Sequence, residues 1–227
     1  MRVWIVAAAS LALVSCATTP GATSAQAPPF TAPQAQTPAA DVSPTYPTAV
    51  DLPAGEYRLD PRHASVLFRI QHMGLSWFTA RFETRDATLT LDPADPTRSH
   101  LTASVDATSV QTGITNQAGE RSFDRSIGRA LGAEASQQIT FNSTAIQRTG
   151  QYTARVTGDL TMNGQTHPAT FDVTFDGGAV DPLRGAKQVL GFSGHAVIQR
   201  SQWGVNEWRA FTSDEVQIVI EAELVKA

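Results

Sequence analysis

Cysteine is almost absent from this 227-residue chain, in which Cys16 is the only one. A single cysteine excludes an intrachain disulfide, a zinc site built on cysteines and a dithiol redox motif. Charge is also scarce, because charged residues make up 17% of the chain and the net charge is −4, with no run of basic residues. This balance argues against nucleic acid as a partner and against electrostatic docking on anionic lipid.

Long hydrophobic runs are lacking as well. The N-terminal apolar stretch, residues 3–14, has 12 residues and contains one serine, so it is too short to cross a bilayer as a helix. With Arg2 before it, the stretch is typical of a secretory signal, and Leu13-Val14-Ser15-Cys16 resembles the bacterial lipobox. We predict a lipoprotein signal peptide over residues 1–16 with lipidation of Cys16. The alternative is an ordinary signal peptide with an incidental cysteine.

Lipidation at Cys16 predicts where the protein resides. Several acyl chains on one residue give stable anchoring, since each buried methylene contributes about 0.8 kcal/mol. In bacterial lipoproteins, a residue other than aspartate after the acylated cysteine implies sorting to the outer membrane, and Ala17 follows here. We expect an exported lipoprotein that acylated Cys16 anchors to the bacterial outer membrane, with the folded domain in the periplasm.

Residues 17–50 have the composition of a tether. Seven of these 34 residues are proline, most others are alanine, threonine, serine or glutamine, and Asp41 is the one charged residue. Such a segment cannot bury enough apolar surface to fold alone, so we predict disorder. In an extended polyproline form it would reach on the order of 100 Å. The remaining residues, 51–227, have a suitable length for one domain with its own core.

From residue 56 onward, apolar and polar residues alternate. A period of two places every second side chain on one face of a strand, which predicts strands at about 56–60, 64–72, 77–84, 86–92, 100–110, 137–147, 151–163, 168–176, 189–200 and 213–226. Asn163-Gly164 between two such runs predicts a hairpin turn, and residues 177–188 indicate a longer polar loop. Apolar residues at every fourth position predict an amphipathic helix over about 116–131, ended by Gly132.

Together these elements predict a mostly β, antiparallel domain with one short helical insertion. Such a sheet must close on itself or stack, because exposed strand edges invite aggregation. A closed barrel of this size can hold a small apolar ligand. Binding, rather than catalysis, is therefore the first hypothesis.

A series of short motifs occurs in a fixed order along the domain. They are YRLDPRHASVLF at 57–68, IQHMG at 70–74, Phe82, ATSV at 107–110 with Thr112, ITF at 139–141, VTGDLTMNG at 156–164, GF at 191–192, RSQWGV at 200–205 and SDEVQI at 213–218. In this order they resemble the YceI-like family, lipocalin-like bacterial envelope proteins that bind polyisoprenoids, over essentially all of residues 55–226. The resemblance implies an elongated, eight-stranded antiparallel lipocalin-like barrel with a long apolar pocket. It also implies an isoprenoid lipid ligand, such as an isoprenoid quinone.

The apolar residues of the strands are the predicted ligand-binding site. Burying an isoprenoid chain needs apolar area, which contributes about 25 cal/mol per Å², and needs no polar catalyst. The alternative is plain core packing, because a small barrel fills part of its interior with side chains. The candidate ligand-binding residues are Val66, Phe68, Ile70, Phe82, Val105, Phe141, Val156, Leu160, Phe171, Val173, Phe192, Ile198, Trp203, Ile218 and Ile220.

Three polar residues are candidate head-group contacts, namely His63, His72 and Arg200. The two histidines lie within the motifs and are candidates to contact a quinone carbonyl or a metal ion; the alternative is a structural role for each. None of the five histidines has the spacing of a His-Glu-x-x-His metal site, so we predict no metal site.

Two further groups of residues have two interpretations each. Arg121, Arg125 and Arg129 recur every four residues along the predicted helix, and they form either a solvated face or a rim at the barrel mouth. Arg200 and Trp203, with Trp208 and Arg209, belong either to a packed hairpin cap or to a gate over the pocket, where arginine would hydrogen-bond a head group.

No catalytic constellation is evident. The stretch GFSGH at 191–195 lacks the Gly-x-Ser-x-Gly spacing of a hydrolase elbow. We expect a lipid-anchored, non-enzymatic binding or carrier protein for a polyisoprenoid lipid, without a cofactor besides that non-covalent ligand. The alternative is an envelope stress or protein-interaction module with a filled barrel core. A homodimer is left open.

Overall fold

The computed structural model describes residues 52–227. The signal segment 1–16, the lipidation site Cys16 and the tether 17–50 lie outside the described residues and remain predictions. Within residues 52–227, no helix is both long and apolar enough to cross a membrane.

The described chain consists mainly of antiparallel strands. They are β1 (Gly55–His72), β2 (Ser76–Phe82), β3 (Arg85–Leu91), β4 (His100–Asp106), β5 (Val110–Gln111), β6 (Gln138–Arg148), β7 (Thr153–Met162), β8 (Gln165–Asp181), β9 (Lys187–Gln199) and β10 (Thr212–Lys226). The helix α1 (Ser122–Ala130) lies between β5 and β6. The expected mostly β fold with one short helical insertion is confirmed.

The ten strands form an eight-stranded barrel. Strands β2 and β3 together make one strand of the wall, and β4 and β5 together make the next. The C-terminal half of β1 pairs with β2 and its N-terminal half with β3. Likewise β5 pairs with β2, and β4 pairs with β3. The wall continues from β4 through β6, β7, β8 and β9 to β10, which pairs with β1 and closes the barrel. The predicted eight-stranded antiparallel barrel is therefore confirmed.

The alternation along β7 illustrates how the wall forms. Val156, Leu160 and Met162 are buried, and the residues between them are more exposed. The turn after β7 has positive φ at both central residues, 51° at Asn163 and 69° at Gly164. These are the values that a two-residue hairpin turn needs, so the predicted hairpin is confirmed.

The strand bounds differ from the prediction at three places. Residues 56–60 and 64–72 belong to one strand, β1, whose pairing register with β10 shifts between Leu59 and Ala64. The predicted strand 100–110 is interrupted by a 3₁₀ turn at Ala107–Ser109. The loop predicted over 177–188 is wrong, because β8 continues to Asp181 and β9 begins at Lys187. This end of the hairpin extends beyond the core, so even its apolar residues Val180 and Leu183 are exposed.

The helix α1 is shorter at its start than the predicted 116–131. Asn116 Oδ1 accepts hydrogen bonds from the backbone of Ala118 and Glu120, at 2.9 Å each, and this turn occupies the positions before Ser122. At the other end, Gly132 has φ of 87°, a left-handed conformation that glycine adopts easily and that ends helices. The predicted role of Gly132 as helix terminator is confirmed.

Candidate ligand-binding cavity

An apolar cavity of about 830 Å³ occupies the barrel interior. Its lining extends from Pro93 and Tyr152, in turns at the end where β1 begins, to Phe123 and Trp208 at the opposite end. Side chains from every strand except β5, and from α1, line the cavity. A volume of this size is in the range of small-molecule binding sites, so the barrel is not filled by its own side chains.

The structure brings together nearly all the apolar residues proposed from the sequence. The residues that line the cavity are Val66, Phe68, Ile70, Phe82, Val105, Phe141, Val156, Leu160, Phe171, Val173, Phe192, Ile198, Ile218 and Ile220. They share the cavity because they occupy the inward positions of successive paired strands; Phe141 faces Leu160, and Val156 faces Phe171. Their contact with a ligand remains a prediction.

Trp203 is placed differently from the expectation, since it does not line the cavity. Its side chain is only 1% exposed, and its indole Nε1 donates a 2.9 Å hydrogen bond to the carbonyl of Leu160. The ring also meets His167 edge to face at 5.4 Å between centroids. Trp203 lies in the 3₁₀ turn Arg200–Trp203 that follows β9, and this turn directs the indole into the wall instead of the interior. Its role is therefore packing.

The three candidate head-group contacts separate in space. His72 ends β1 and lines the cavity at the end that contains α1. Arg200 also lines the cavity, but its guanidinium holds the loop after β9, donating to the carbonyls of Val205 at 3.1 Å and Glu207 at 2.7 Å. His63 lies outside the cavity lining, near the start of β1.

His63 belongs to a charged cluster. Its Nδ1 is 2.5 Å from Asp60 Oδ2 and 2.9 Å from Arg184 Nη2. In the described part of the chain, Asp60, His63 and Glu223 are the one group with the spacing of metal ligands. Arg184 contacts both Asp60 and His63, so a cation of the chain itself already supplies positive charge here. The cluster therefore serves as an ion-pair network at the β1 irregularity.

The electrostatics of Asp60 agree with this structural role. Burial favours the neutral acid and would raise its pKa. The hydrogen bonds from His63 and Arg184 outweigh this effect and hold the pKa well below its ordinary value. Asp60 is thus a carboxylate at neutral pH.

Aromatic side chains surround the cavity at the α1 end. Phe123, on the inner face of α1, meets Phe78 edge to face at 5.8 Å and Trp208 at 6.0 Å between ring centroids. Trp208 is in the loop between β9 and β10 and has φ of 56°, which is unusual for a bulky residue. The sequence left Trp208 either in a packed hairpin cap or in a gate over the pocket, and the structure places it in the cavity lining at this end.

The three arginines that recur every four residues, Arg121, Arg125 and Arg129, have different surroundings. Arg121 Nε lies 2.5 Å from Asp124 Oδ2, and its Nη2 donates to the Val110 carbonyl at 2.7 Å, so it fastens α1 to the barrel. Arg125 and Arg129 are exposed on the outer face of the helix. Two of the three thus remain available at the rim of the mouth.

The family model of the YceI-like domain matches residues 57–224. The chain belongs to the YceI-like family. A UPF0312 protein of Serratia proteamaculans is 33% identical over 176 residues, covering 77% of this chain and 88% of the relative. Protein YceI of Escherichia coli O6:H1 is 33% identical over 175 residues, covering 76% and 88%.

Solved structures share the YceI-like barrel. Burkholderia cenocepacia BcnA superposes with a TM-score of 0.62 at 24% identity, over 73% of this chain and 98% of that one. A polyisoprenoid binding domain from Saccharophagus degradans superposes with a TM-score of 0.57 at 12% identity, over 77% and 100%. At these identities the likeness establishes the fold.

Sequence reasoning missed two charged residues that organise this YceI-like barrel. Arg85 lines the cavity and donates to the carbonyls of Glu83 at 2.7 Å and Pro61 at 2.9 Å, joining β1 to the adjacent wall strand. Asp124 is buried in α1 and accepts hydrogen bonds from Thr112 and Arg121. Burial would raise the pKa of Asp124, but these hydrogen bonds outweigh it and lower the pKa. The one signal in the sequence was the separation of three residues between Arg121 and Asp124, which allows an ion pair along a helix. Nothing in the sequence pointed to Arg85.

Proposed function

We propose that this YceI-like protein binds one linear polyisoprenoid lipid, such as an isoprenoid quinone, inside its barrel. The observation that carries the proposal is the end-to-end apolar cavity of about 830 Å³. Since an apolar cavity of about 150 Å³ holds benzene, this volume accommodates by proportion on the order of 30 carbon atoms, or about six isoprene units. The elongated, apolar lining suits a chain better than a compact polar molecule.

The family and its structural neighbours support this choice of ligand. The chain is a YceI-like protein, and the neighbour from Saccharophagus degradans is a polyisoprenoid binding domain with the same fold. The competing hypothesis, a protein-interaction module with a filled barrel, is disfavoured by the size of the cavity. The proposed activity is non-covalent binding, with no catalytic step.

The proposal also includes the location. The protein acts as a lipoprotein whose acylated Cys16 anchors it to the outer membrane, with the barrel in the periplasm. The lipobox-like Leu13-Val14-Ser15-Cys16 supports this. A Cys16→Ala variant is expected to lose labelling by radioactive palmitate and to leave the membrane fraction. Continued membrane association without label would contradict the anchor.

The ligand can be identified from the purified protein. The chain is purified from a bacterial lysate that contains membranes, extracted with organic solvent and analysed by mass spectrometry. We expect about one isoprenoid quinone or polyprenyl lipid per chain. An empty extract, together with no thermal stabilisation on adding ubiquinone with five isoprene units, would overturn the proposal.

A pair of tryptophan variants makes this test specific for the cavity. Val173 lines the cavity from β8, whereas Val197 on β9 is 54% exposed on the outer surface. Val173→Trp is expected to lower the ligand content at least about tenfold, because the indole takes volume from the chain. The control Val197→Trp is expected to retain the ligand.

A further inference from the structure

Exposed apolar side chains form a continuous rim at the α1 end of the barrel. We define the apolar rim as Met73, Leu75, Phe123, Trp208 and Phe211. Each is an exposed large hydrophobic residue, with Leu75 82% and Met73 60% exposed. The members adjoin one another, because the Met73 amide donates to the Phe211 carbonyl at 2.7 Å and the Phe123 and Trp208 rings are 6.0 Å apart.

The apolar rim is continuous with the cavity. Phe123, Trp208 and Phe211 line the cavity and are also exposed. Met73 and Leu75 lie in the β1–β2 turn beside them and project beyond the cavity lining. A molecule that leaves the cavity at this end therefore passes directly over apolar surface.

The local sequence makes this exposure unusual. Tips of tight turns ordinarily have glycine, asparagine, aspartate or serine, but here Met73 and Leu75 flank Gly74 in the turn. Met73 and Trp208 both have positive φ, 54° and 56°, a costly conformation for large side chains. Contiguous exposed apolar patches of this kind mark interaction sites.

The residues around the rim favour a lipid bilayer as the partner. Tryptophan is typical of the membrane interface, where one end of its ring is wet and the other apolar. Phenylalanine and leucine are typical of the apolar face of a surface that lies in the interface. Arg125 and Arg129 lie exposed on the outer face of α1, and in the described part of the chain neither forms an ion pair with a carboxylate. The net charge of the chain is negative, so the attraction is local to these two arginines: arginine on the polar side of an amphipathic surface attracts lipid phosphates, while the apolar rim supplies the main contact.

The proposed anchor is compatible with this orientation. The described chain begins at the opposite end of the barrel from the rim, since β1 starts at Gly55 and reaches the rim after His72. The 35 residues between Cys16 and Leu52 could extend on the order of 100 Å. A strand of 18 residues such as β1 spans at most about 60 Å, so the tether is long enough for the barrel to turn its rim toward the same membrane.

We propose that the apolar rim inserts into the interface of a lipid bilayer and opens the cavity directly to the membrane. A bound lipid would then move between bilayer and barrel without exposing its chain to water. The proposal goes beyond ligand binding, because it names the surface by which the protein meets the membrane independently of Cys16.

The test measures membrane binding by a chain that lacks the anchor. A chain beginning at Ala17, which retains every described residue, is mixed with vesicles of phosphatidylethanolamine and phosphatidylglycerol and separated by flotation. The rim variant is Met73→Asn with Leu75→Ser; asparagine tolerates positive φ, and neither residue lines the cavity. We expect this variant to bind vesicles at least about tenfold more weakly, because it loses two apolar side chains.

The matched control removes two apolar side chains from the opposite end. It is Val180→Asn with Leu183→Ser, where Leu183 is 94% exposed, and it is expected to bind vesicles like the wild type. Equal binding by the rim variant, or equal loss in the control, would overturn the proposal. Failure of the wild type to float with the vesicles would also overturn the proposal. If the wild type then formed a dimer in sedimentation that the rim variant did not form, the rim would be assigned to contact with a second copy of the chain.

A second readout separates this proposal from ligand binding. Ubiquinone with five isoprene units is offered either in detergent or in the same vesicles. The rim variant is expected to bind the quinone normally from detergent and to acquire it several-fold more slowly from vesicles. Equal uptake rates from vesicles would contradict the role of the rim, whereas no binding from detergent by the wild type would contradict the proposed function alone.

Discussion

Arg184 forms an ion pair with Asp60, a residue 124 positions earlier in the chain. The pair joins the tip of the β8–β9 hairpin to the irregular segment of β1, far from the proposed mouth of the barrel. Both side chains are largely shielded from water, with side-chain exposures of 17% and 5%. We expect this pair to stabilise the barrel and to make its stability depend on pH.

Replacing Asp60 by asparagine tests that dependence. The pKa of Asp60 is lower in the folded chain than its unfolded value of 3.8, so its contribution is present above about pH 4 and is lost as the pH falls further. Asp60→Asn is expected to lower the free energy of unfolding at pH 7 by about 1.5–3 kcal/mol, and the difference from wild type should shrink toward pH 3. Urea unfolding across this pH range measures it.

The control for Asp60 is a surface pair. Asp172 is half-exposed and lies 3.4 Å from Arg155. Asp172→Asn is therefore expected to change the free energy of unfolding by less than about 1 kcal/mol. A difference between wild type and Asp60→Asn that stays constant from pH 7 to pH 3 would contradict the assignment.

Trp203→Phe tests the placement of Trp203 in the wall. The variant removes the indole hydrogen bond to the Leu160 carbonyl and puts a smaller ring in a site where Trp203 is 1% exposed, so the free energy of unfolding is expected to fall by about 1–3 kcal/mol. Quinone affinity, measured by fluorescence titration, is expected to remain that of the wild type. A large loss of affinity with unchanged stability would return Trp203 to the ligand site.

Gly128→Ala tests the attachment of α1 to the barrel. A Cβ at Gly128 would lie 2.8 Å from the backbone carbonyl oxygen of Ala107, so the helix must move away. Although alanine favours helices, we expect a net destabilisation of about 1–3 kcal/mol and faster hydrogen exchange in α1. Ser126→Ala, on the outer side of the same helix, is the control, and stabilisation by Gly128→Ala would show that the contact relaxes without cost.

Arg200→Lys tests how the loop at the mouth is held. Arg200 donates to three backbone carbonyls, of Ser213, Val205 and Glu207, and one ammonium group cannot reproduce this fork. We expect a loss of about 2 kcal/mol in the free energy of unfolding and faster hydrogen exchange over residues 204–211. Arg209→Lys, at an exposed residue with one side-chain bond to Asn206, should change neither. Unchanged exchange in Arg200→Lys would exclude its role in the loop.

The class of the fold and the apolar side chains that face the cavity from the strands follow largely from the sequence alone. Alternation of period two decides which side chains share a face, and it places Val156, Leu160 and Phe171 inside without knowledge of the partner strands. The turn at Asn163-Gly164 could likewise be predicted, because positive φ at two consecutive residues restricts the residue types. The motif order named the family before the barrel was seen.

Features that depend on residues far apart in the chain could not be predicted from the sequence and are seen only in the folded barrel. Three features arise only when the strands close into a barrel. They are the position of Trp203 outside the cavity, the Asp60–Arg184 ion pair and the apolar rim. Alternation describes neighbours along one strand, whereas these contacts depend on the register between strands and on the paths of the turns. For that reason the alternation predicted which side chains face the barrel interior, but it could not predict which residues are exposed around the opening of the cavity.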